Sequence, residues 1–428
     1  MRKNFVICLN PFESHFLPTI SLAKHLQQNN HSVIYMGFSN MEILVKNEGF
    51  DFISLSSCMD KDINNLNKSK SYKKLAMLYK KLHEEIIEKL NTYGADNILM
   101  GISRYQIYLI PALSCNTNIY FYSLCAGSPW INKNSPPITS NYIFNCKPYQ
   151  RVINLSLWFK RFLRKGLNAS IIRARMFYPW TTMRRLCHEK NIGWKFGIDG
   201  FFPSFPVLTL GTKHLEFSDI QEVKFLGLCV SEDRKYKDAD IIKKNDNPLI
   251  YCSLGTMNER YRKTNSLYST IIELFKEIPQ WNLVLGLGNY KDIYKENIFD
   301  NITMYDVAPQ LSIIKKADLV ITHGGYGTIK ECIKYSVPML VLPCSYDQRG
   351  NAARVHFHQI GIMSQLLKTT IFEKIFGLNT KNITTEDLKR LIEELLYNSK
   401  YKTNILNFNL KVETDNELNT LDNIFGIY

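Results

Sequence analysis

Short apolar segments alternate along this chain with amphipathic segments, and the alternation predicts its secondary structure. Short continuous apolar segments are typical of strands buried in a parallel sheet, whereas apolar residues three or four positions apart are typical of helices that cover such a sheet. In the first half, the predicted strands are Phe5–Leu9, Val33–Met36, Asn97–Met100 and Ile119–Tyr122. The predicted helices there are Leu17–Gln28 and the Lys-rich segment Tyr72–Leu90.

The second half repeats the same alternation. Its predicted strands are Leu249–Leu254, Asn282–Leu287, Ile302–Tyr305, Leu319–Thr322 and Met339–Leu342. Its predicted helices are Ser266–Lys276, Gln310–Lys316, Thr328–Tyr335, Asn351–Gln359 and Asp387–Tyr397. Strands that alternate with helices in this way predict an α/β fold made of two doubly wound, Rossmann-like domains.

A charged segment separates the two halves. Residues 231–247 are rich in Lys, Asp and Glu and poor in apolar residues, so we expect an exposed linker there. The linker divides the chain into an N-terminal domain at 1–230 and a C-terminal domain at 248–400. We expect the tail at 401–428 to pack back toward the N-terminal domain. Two such domains form a cleft between the carboxyl ends of their sheets, where doubly wound folds bind ligands.

The composition sets limits on the class of protein. A length of 428 residues suits two domains of about 200 residues each. The net charge of +14 fits a nucleic acid, an anionic membrane or a phosphate-rich ligand, and it also fits the Lys-heavy codon usage of an AT-rich genome. The ten cysteines include no C-x-x-C pair, which favours free thiols in a reducing cytoplasm. No apolar stretch approaches the roughly 20 residues of a membrane-spanning helix.

A glycine-rich turn follows the predicted strand Leu319–Thr322. It contains His323, Gly325 and Gly327, and a helix is expected to begin near Thr328. Glycines let backbone N–H groups approach a ligand closely, and a helix start carries a partial positive charge. A diphosphate suits such a site, although the glycines also suit a tight turn without a ligand. The pattern is neither G-x-G-x-x-G nor a P-loop, so it predicts neither a dinucleotide site nor an ATPase.

Two neighbouring turns add polar groups to the same sheet edge. Ser253, Gly255 and Thr256 follow the first strand of the C-terminal half. Asp347 and Gln348 follow a later strand, and their side chains suit sugar hydroxyls, which both donate and accept hydrogen bonds. Asp347 is equally suited to be the N-cap of the helix that contains Asn351.

The region from Val307 to Asn351 resembles the nucleotide-sugar signature of family 1 glycosyltransferases, which include plant, macrolide and carotenoid glucosyltransferases. The matching positions are Ala308-Pro309-Gln310, His323-Gly324-Gly325, Glu331, Pro338, Asp347-Gln348 and Asn351-Ala352. The sequences Pro11-Phe12-Glu13-Ser14-His15-Phe16 and Ser135-Pro136-Pro137 are most similar to the zeaxanthin-glucosyltransferase branch.

This resemblance implies a GT-B fold and a UDP-sugar donor, with UDP-glucose favoured by Gln348, and no cofactor or metal. Its implied donor contacts are Ala308 and Gln310 at the uracil and Glu331 at the ribose hydroxyls. His323, Gly325 and Thr328 are implied at the diphosphate, assisted by Ser253 and Thr256, and Asp347 and Gln348 at the sugar. Gly255, Gly327 and Asn351 also belong to the implied donor site. Two positions depart from many relatives. Val307 stands where a tryptophan stacks on uracil, and Gly327 replaces the asparagine of the plant enzymes.

His15 follows the first strand at the mouth of the expected cleft. Histidine is suited to general base catalysis near neutral pH, and it is equally common as a helix-capping or core residue. The resemblance implies that His15 is the catalytic base. Relatives orient this base with an aspartate, and Gly101 stands at that position here, so we expect Glu13 or Asp96 to replace it or no acid to be present. The D-x-D sequence Asp238-Ala239-Asp240 is expected to be a solvated part of the linker.

A basic and aromatic segment spans residues 147–190. It holds eleven Lys or Arg residues against one acid, Glu189. Interleaved among them are the aromatic residues Trp158, Phe159, Phe162, Phe177, Tyr178 and Trp180. Such a segment suits an anionic membrane surface, or a pair of helices whose aromatic faces line an acceptor pocket. No nucleic-acid-binding motif accompanies it, so we expect no nucleic-acid partner.

We therefore predict a cytoplasmic, metal-independent and inverting glycosyltransferase, with possible peripheral membrane contact through residues 147–190. Its predicted partners are a UDP-sugar, with glucose favoured, and a lipophilic small-molecule acceptor of the carotenoid or polyketide kind. Two alternatives remain open: a sugar-nucleotide epimerase or hydrolase on the same fold, and a non-catalytic partner of another transferase.

Overall fold

A computed structural model of the chain describes residues 2–56, 72–167, 176–232, 246–255, 264–288, 299–364, 383–415 and 417–425. Thr256 and Asp238-Ala239-Asp240 lie outside the described residues, as does most of the predicted linker.

The first lobe is built on a parallel sheet of seven strands in the order β3-β2-β1-β4-β5-β8-β9. Its strands are β1 (Asn4–Cys8), β2 (Ser32–Phe38), β3 (Asp51–Leu55), β4 (Asn97–Gly101), β5 (Asn118–Ser123), β8 (Val207–Thr209) and β9 (Lys224–Phe225). A separate hairpin joins β6 (Trp194–Gly197) to β7 (Gly200–Pro203). The helices are α1 (Glu13–Phe16), α2 (Ile20–Gln28), α3 (Glu42–Asn47), α4 (Tyr72–Tyr93), α5 (Leu109–Ser114), α6 (Pro148–Gly166) and α7 (Trp180–Glu189).

The second lobe is built on a parallel sheet of six strands in the order β12-β11-β10-β13-β14-β15. Its strands are β10 (Leu249–Ser253), β11 (Asn282–Gly286), β12 (Ile302–Tyr305), β13 (Leu319–Thr322), β14 (Met339–Val341) and β15 (Gly361–Met363). The helices are α8 (Thr264–Glu277), α9 (Gln310–Lys316), α10 (Tyr326–Lys334), α11 (Gln348–Phe357), α12 (Thr385–Tyr397), α13 (Ser399–Asp415) and α14 (Thr420–Phe425).

The predicted α/β fold with two doubly wound sheets is confirmed. The strands at the sheet centres lie where the sequence predicts them, because they are buried on both faces and their apolar residues are continuous. The edge strand β3 was not predicted, since most of its residues are only partly buried and its apolar pattern is weak. Four helices begin two or three residues earlier than predicted: α8 at Thr264, α10 at Tyr326, α11 at Gln348 and α12 at Thr385.

The strand order reverses direction at one point in each sheet. In the first lobe this switch point lies between β1 and β4, and in the second it lies between β10 and β13. Loops that leave neighbouring strands in opposite directions open a crevice at the carboxyl edge of the sheet, which is where ligands of such folds bind. His15 follows β1, and His323 follows β13. The fold thus brings the two predicted histidines to the switch points of facing sheets.

Buried contacts join the two lobes. Glu216 and Arg354 form an ion pair of 2.7 Å whose side chains are each only 1% exposed. Gly211 lies so close to the Tyr326 ring that a Cβ at Gly211 would overlap the tyrosine hydroxyl. These contacts fix the spacing between the sheets and so the width of the cleft between them.

The C-terminal segment returns to the first lobe. Phe425 in α14 packs edge-on against Phe5, with ring centroids 4.9 Å apart, and the Lys3 ammonium donates to the Phe425 carbonyl at 2.7 Å. At the other end of the segment, Lys213 pairs with Asp415 at 2.6 Å. The domain limits at 1–230, 231–247, 248–400 and 401–428 remain our proposed division of the chain.

None of the described helices is both long enough and apolar enough to cross a bilayer.

Candidate active site

A cavity of about 930 Å³ lies between the lobes, at the carboxyl edges of both sheets. The first lobe contributes the loop after β1, which contains His15, and the end of β4 at Gly101. The second lobe contributes the loops after β10, β13 and β14, with Ser253, His323 and Asp347. Residues far apart in sequence therefore face one shared cavity.

The imidazole of His323 lies between two glycines. A Cβ at Gly255 would approach His323 Cε1 and Nε2 to 2.7 Å, and a Cβ at Gly325 would approach Nε2 to the same distance. Real Cβ atoms do not come this close, so both positions require glycine while the ring keeps this place. The sequence explained the glycine-rich turn by ligand approach or by a tight turn, and the structure adds the histidine as a further reason. Burial lowers the pKa of His323 to about 4, so its ring is neutral near pH 7.

Helix α10 begins directly after this ring and points its N-terminus at the cavity. Gly325 is the N-cap, and the Ile329 N–H makes the first intrahelical bond to the Gly325 carbonyl at 3.1 Å. The N–H groups of the first turn, at Tyr326, Gly327 and Thr328, have no partner within the helix and carry its partial positive charge. Gly327 is exposed, and a Cβ placed there would meet open space. An anion fits this position.

Gln310 connects several groups on the other side of the turn. Its Oε1 accepts from the Tyr251 hydroxyl at 3.1 Å, and its Nε2 donates to Glu331 and to Thr328 Oγ1. Ala308 lies beside it on the cavity wall. Gly286 faces the same corner, where a Cβ would lie 3.3 Å from the Ala308 Cβ. This corner has the mixed donors and acceptors that a base edge and ribose hydroxyls require.

Asp347 and Gln348 lie at the start of α11. Asp347 occupies the N-cap position but makes no side-chain cap hydrogen bond; instead its Oδ2 accepts from Asn351 Nδ2 at 3.0 Å. Burial raises the pKa of the Asp347 carboxyl to about 6. Gln348 Oε1 accepts from the backbone N–H groups of Cys344 and Ser345 at 2.9 and 2.7 Å, which fixes the loop after β14. Gln348 also lines the cavity.

Asn351 differs from the other predicted donor residues. It is fully buried and does not line the cavity; its amide also donates to the Gly324 carbonyl at 3.0 Å. Asn351 therefore holds the glycine-rich turn and the Asp347 carboxylate in place from behind.

His15 lies on the opposite wall of the cavity. Its Nδ1 accepts a hydrogen bond from Asn10 Nδ2 at 3.0 Å, and the same amide nitrogen donates to the Ser103 carbonyl at 3.1 Å. An amide nitrogen only donates, so the neutral ring carries its hydrogen on Nε2. Burial, together with a smaller effect of the Arg104 guanidinium, lowers the pKa of His15 to about 4. His15 is therefore neutral at pH 7, with Nδ1 hydrogen-bonded to Asn10.

At the position where relatives have an aspartate, this chain has Gly101. Gly101 lines the cavity, and a Cβ at this residue would lie 3.4 Å from Asn10 Nδ2, so the Asn10 amide occupies the space beside it. Asp96, one of the two expected replacements, precedes β4 at the amino edge of the sheet and accepts from the Asn4 N–H at 2.7 Å. Asp96 cannot orient His15, because the two lie at opposite edges. Glu13 lines the cavity.

Most predicted residues face the cavity. The cavity-lining members of the predicted set are His15, Ser253, Gly255, Ala308, Gln310, His323, Gly325, Gly327, Thr328, Glu331, Asp347 and Gln348. The sequence did not predict Asn10, Tyr251 or Lys330, which also line it. Lys330 is 2% exposed and donates to the Leu210 carbonyl at 2.7 Å. The sequence could have indicated Asn10 and Tyr251, because they lie just after or within predicted central strands, where side chains can reach the cleft.

Comparison with known proteins gives relatives of one kind. A family model described as UDP-glucoronosyl and UDP-glucosyl transferase matches residues 224–426. The NDP-glycosyltransferase YjiC of Bacillus subtilis is 26% identical over 369 residues, which is 85% of each chain. The zeaxanthin glucosyltransferase of Pantoea ananas is 35% identical over 120 residues, 27% of each chain.

Solved structures show the same architecture over the whole chain. The glycotransferase of kitacinnamycin superposes with a TM-score of 0.69 at 16% identity, covering 100% of this chain and 99% of that one. The spinosyn rhamnosyltransferase SpnG, complexed with thymidine diphosphate, has a TM-score of 0.62 at 13% identity and covers 97% and 96%. At these identities the structures establish the GT-B fold. The family model and the curated relatives support a glycosyltransferase that is similar to those of family 1, as the resemblance in its sequence predicts.

Proposed function

We propose that the protein transfers a hexose, with glucose favoured, from a UDP-sugar to a hydroxyl group of a lipophilic small molecule. The observation that carries this proposal is the single cavity that His15 of one lobe shares with the N-terminus of α10 and His323 of the other. A transfer reaction needs a donor site and a base on opposite sides of one reacting carbon, and this arrangement provides both.

The donor diphosphate binds at the first turn of α10. The N–H groups of Gly327 and Thr328, the helix charge and a neutral His323 donor stabilise the negative charge that develops on the leaving UDP. These groups supply the stabilisation that a divalent cation supplies in other transferases, so we propose that no metal is required. Uracil binds beside Ala308 and Gln310, the ribose beside Glu331, and the hexose beside Asp347 and Gln348. Ser253 and Gly255 close the diphosphate site.

The acceptor hydroxyl attacks C1 of the sugar from the side opposite UDP, so the anomeric centre is inverted. The new C1–O bond forms as the bond from C1 to the UDP oxygen breaks, and the hydroxyl proton passes to His15 Nε2. For Nε2 to accept a proton, the ring must carry its hydrogen on Nδ1. Asn10 supports that form after a half-turn of its amide, because Oδ1 then accepts from Nδ1–H.

The acceptor site lies on the first-lobe wall. Its cavity-lining residues include the apolar side chains Leu17, Pro18, Ile102, Leu124, Ile138 and Ile198. Such a wall favours an alcohol or phenol with a large apolar body. The curated relatives include enzymes named for zeaxanthin and for oleandomycin, and both names support an acceptor of this kind. We place the reaction in the cytoplasm, with peripheral contact to a membrane through residues 147–190.

Ligand binding and transfer are tested separately. Thermal shift is measured with UDP, UDP-glucose, other UDP-hexoses and thymidine diphosphate; a ligand at about 100 times its Kd adds roughly 2.7 kcal/mol to the stability of the folded state. Transfer is then measured with wild type and His15→Ala, in buffer containing EDTA.

We expect UDP-glucose to stabilise both proteins, and only wild type to glycosylate a phenol acceptor, giving a product of inverted configuration. Full transfer by His15→Ala would contradict the base assignment. Consumption of UDP-sugar at full rate without an acceptor would instead indicate an epimerase or hydrolase.

A further inference from the structure

Helix α6 carries an apolar stripe on its solvent side. Of sixteen large hydrophobic residues that are exposed among the described residues, seven lie between residues 149 and 167. These are Tyr149, Val152, Ile153, Leu155, Phe159, Leu163 and Leu167. Val152 is 70% exposed, Phe159 60% and Leu163 47%, and their spacing of seven and four residues places them on one face of the helix. Soluble surfaces rarely concentrate large apolar side chains in this way unless something binds there.

The opposite face fixes the orientation of this helix. Trp158 is 1% exposed and its indole N–H donates to the Ser135 carbonyl at 2.9 Å. Asn154 is fully buried and donates to the Asn132 carbonyl, also at 2.9 Å. These bonds hold one face of α6 against the first lobe, so rotation of the helix cannot bury the apolar stripe.

Basic residues flank the stripe. Arg151, Lys160 and Arg164 are exposed, and the sequence of α6 contains no Asp or Glu. The nearby acid Asp199 pairs with the inward-facing Arg161 at 3.5 Å and lies 3.9 Å from the Lys165 ammonium. The outer surface of α6 therefore combines apolar and cationic groups along the roughly 28 Å that a helix of its length spans.

We propose that α6 is a docking helix that lies in the surface of a membrane containing anionic lipids. Its apolar stripe enters the boundary between headgroups and acyl chains, and the flanking cations bind lipid phosphates or carboxylates. This arrangement is the one by which amphipathic helices bind an interface without crossing it. Charge complementarity selects the occupant: a second copy of this helix would bring the same cations to the interface, and like charges would oppose the pairing.

The docking helix also supports the wall of the cavity. Arg161 of α6 donates from Nε to the Ile198 carbonyl at 2.6 Å, and Ile198 and Asp199 both line the cavity. A membrane bound by α6 thus lies behind the acceptor wall. Taken with the proposed function, on which this step rests, the position suits an acceptor that is dissolved in the lipid.

The binding claim is tested by co-sedimentation of the full chain with vesicles. One set is pure phosphatidylcholine, and the other contains 30% phosphatidylglycerol. We expect binding to the anionic set that weakens with added salt. Phe159→Ser/Leu163→Ser should lower the partition coefficient at least about tenfold, since two inserted side chains are lost. Lys160→Gln/Arg164→Gln should lower it about 30-fold, from roughly 1 kcal/mol per cation near an anionic surface.

Matched controls lie on the second lobe. Leu406→Ser/Leu410→Ser removes two exposed leucines with the same spacing from α13, and Lys389→Gln/Arg390→Gln removes two cations from α12. Both should bind vesicles like wild type. All four variants change solvent-facing or partly exposed residues, so circular dichroism and the melting temperature should remain those of wild type.

Three results would overturn the proposal. The first is that wild type does not bind anionic vesicles. The second is that the α6 variants bind these vesicles as strongly as wild type. The third is that wild type is a dimer that binds no vesicles and that Phe159→Ser/Leu163→Ser converts to a monomer. A kinetic measurement separates this proposal from the proposed function. The α6 variants should keep wild-type kcat and KM with a water-soluble phenol but show a raised KM for an alcohol carried in anionic vesicles. If no acceptor is glycosylated at all while vesicle binding follows the predictions, the proposed function fails and the docking helix stands.

Discussion

Asn10 Nδ2 lies 3.0 Å from His15 Nδ1, and this contact sets the tautomer of the proposed base. The same nitrogen donates to the Ser103 carbonyl, so the amide holds the ring in the form with its hydrogen on Nε2. A carboxylate would hold the opposite form and would stabilise the protonated ring. In this protein, therefore, the base must exchange tautomers before it can accept a proton at Nε2.

Replacement of Asn10 by Asp should raise transfer activity. The carboxylate accepts from Nδ1–H, fixes the productive tautomer and raises the pKa of His15 above its value of about 4. We expect kcat to rise severalfold near pH 7, and the His15 resonance to titrate at higher pH in an NMR titration. Asn29→Asp, which adds the same charge at the end of α2 outside the cavity, is the control. An unchanged titration of His15 in Asn10→Asp would refute this account of the tautomer.

Addition of one methyl group at Gly325 should weaken nucleotide binding. The new Cβ would lie 2.7 Å from His323 Nε2, so the ring must leave the diphosphate site, although the backbone φ of −60° suits alanine. We expect Gly325→Ala to raise the Kd for UDP at least about tenfold in calorimetric titration, because a charge-assisted donor is displaced. Gly193→Ala is the matched control, since a Cβ there meets nothing within 4 Å. Wild-type affinity in Gly325→Ala would show that His323 does not bind the diphosphate.

The buried pair of Glu216 and Arg354 should be essential for stability. Each side chain is 1% exposed, and Glu216 also accepts from the Gly127 N–H at 2.6 Å. Glu216→Gln leaves the guanidinium buried without a countercharge, and such a loss costs about 3–5 kcal/mol. Urea unfolding measures the change, and the surface variant Glu42→Gln, which breaks an exposed pair with Lys46, should unfold like wild type. A similar midpoint for both variants would mean that water reaches the interlobe pair.

A fall in pH should destabilise the folded state at pH values well above those at which carboxylates ordinarily titrate. Burial lowers the pKa values of His15, His83, His323 and His358 to about 4, whereas an unfolded histidine titrates near 6.5. Between these values the unfolded chain binds protons that the folded chain does not. The stability is therefore complete above pH 6.5 and falls as the pH falls toward 4, by up to about 1.4 kcal/mol per pH unit for each histidine.

Asp347 and Glu417 act in the opposite direction, because burial raises the pKa of Asp347 to about 6 and that of Glu417 above its ordinary value. The four histidines with pKa values of about 4 outnumber them. Urea unfolding between pH 7.5 and 4.5 gives the slope. His83→Gln should flatten it by the share of one histidine, while His188→Gln, at an exposed position of α7, should leave it unchanged. A stability that is constant over this range would contradict the buried neutral histidines.

The sequence predicted those features that local pattern determines. Strands such as Leu319–Thr322 are continuous apolar segments, and His323 follows one of them, so its place at a sheet edge could be inferred from the chain alone. The family resemblance then supplied roles for residues such as Gln310 and Asp347, and most of these residues line one cavity.

Other features arise only when distant segments meet. Asn10 acquires its role from contact with Ser103, which lies 93 residues away across the β1–β4 switch point. Asn351 carries a family match, yet its side chain faces Gly324 rather than the cavity. Asp96 lies near the expected position in sequence, but strand β4 separates it from Gly101. Asp96 therefore lies at the amino edge of the sheet and Gly101 at the carboxyl edge. Contacts between segments that are distant in sequence determine the roles of these residues, and a local sequence pattern cannot predict such contacts.

A crystal structure with UDP bound tests the central claim most directly. We predict that the β-phosphate lies within hydrogen-bonding distance of the Gly327 and Thr328 N–H groups and of His323, with uracil beside Gln310 and His15 facing the open side of the phosphate. A nucleotide bound elsewhere, or a His15 ring turned out of the shared cavity when UDP is present, would contradict the account.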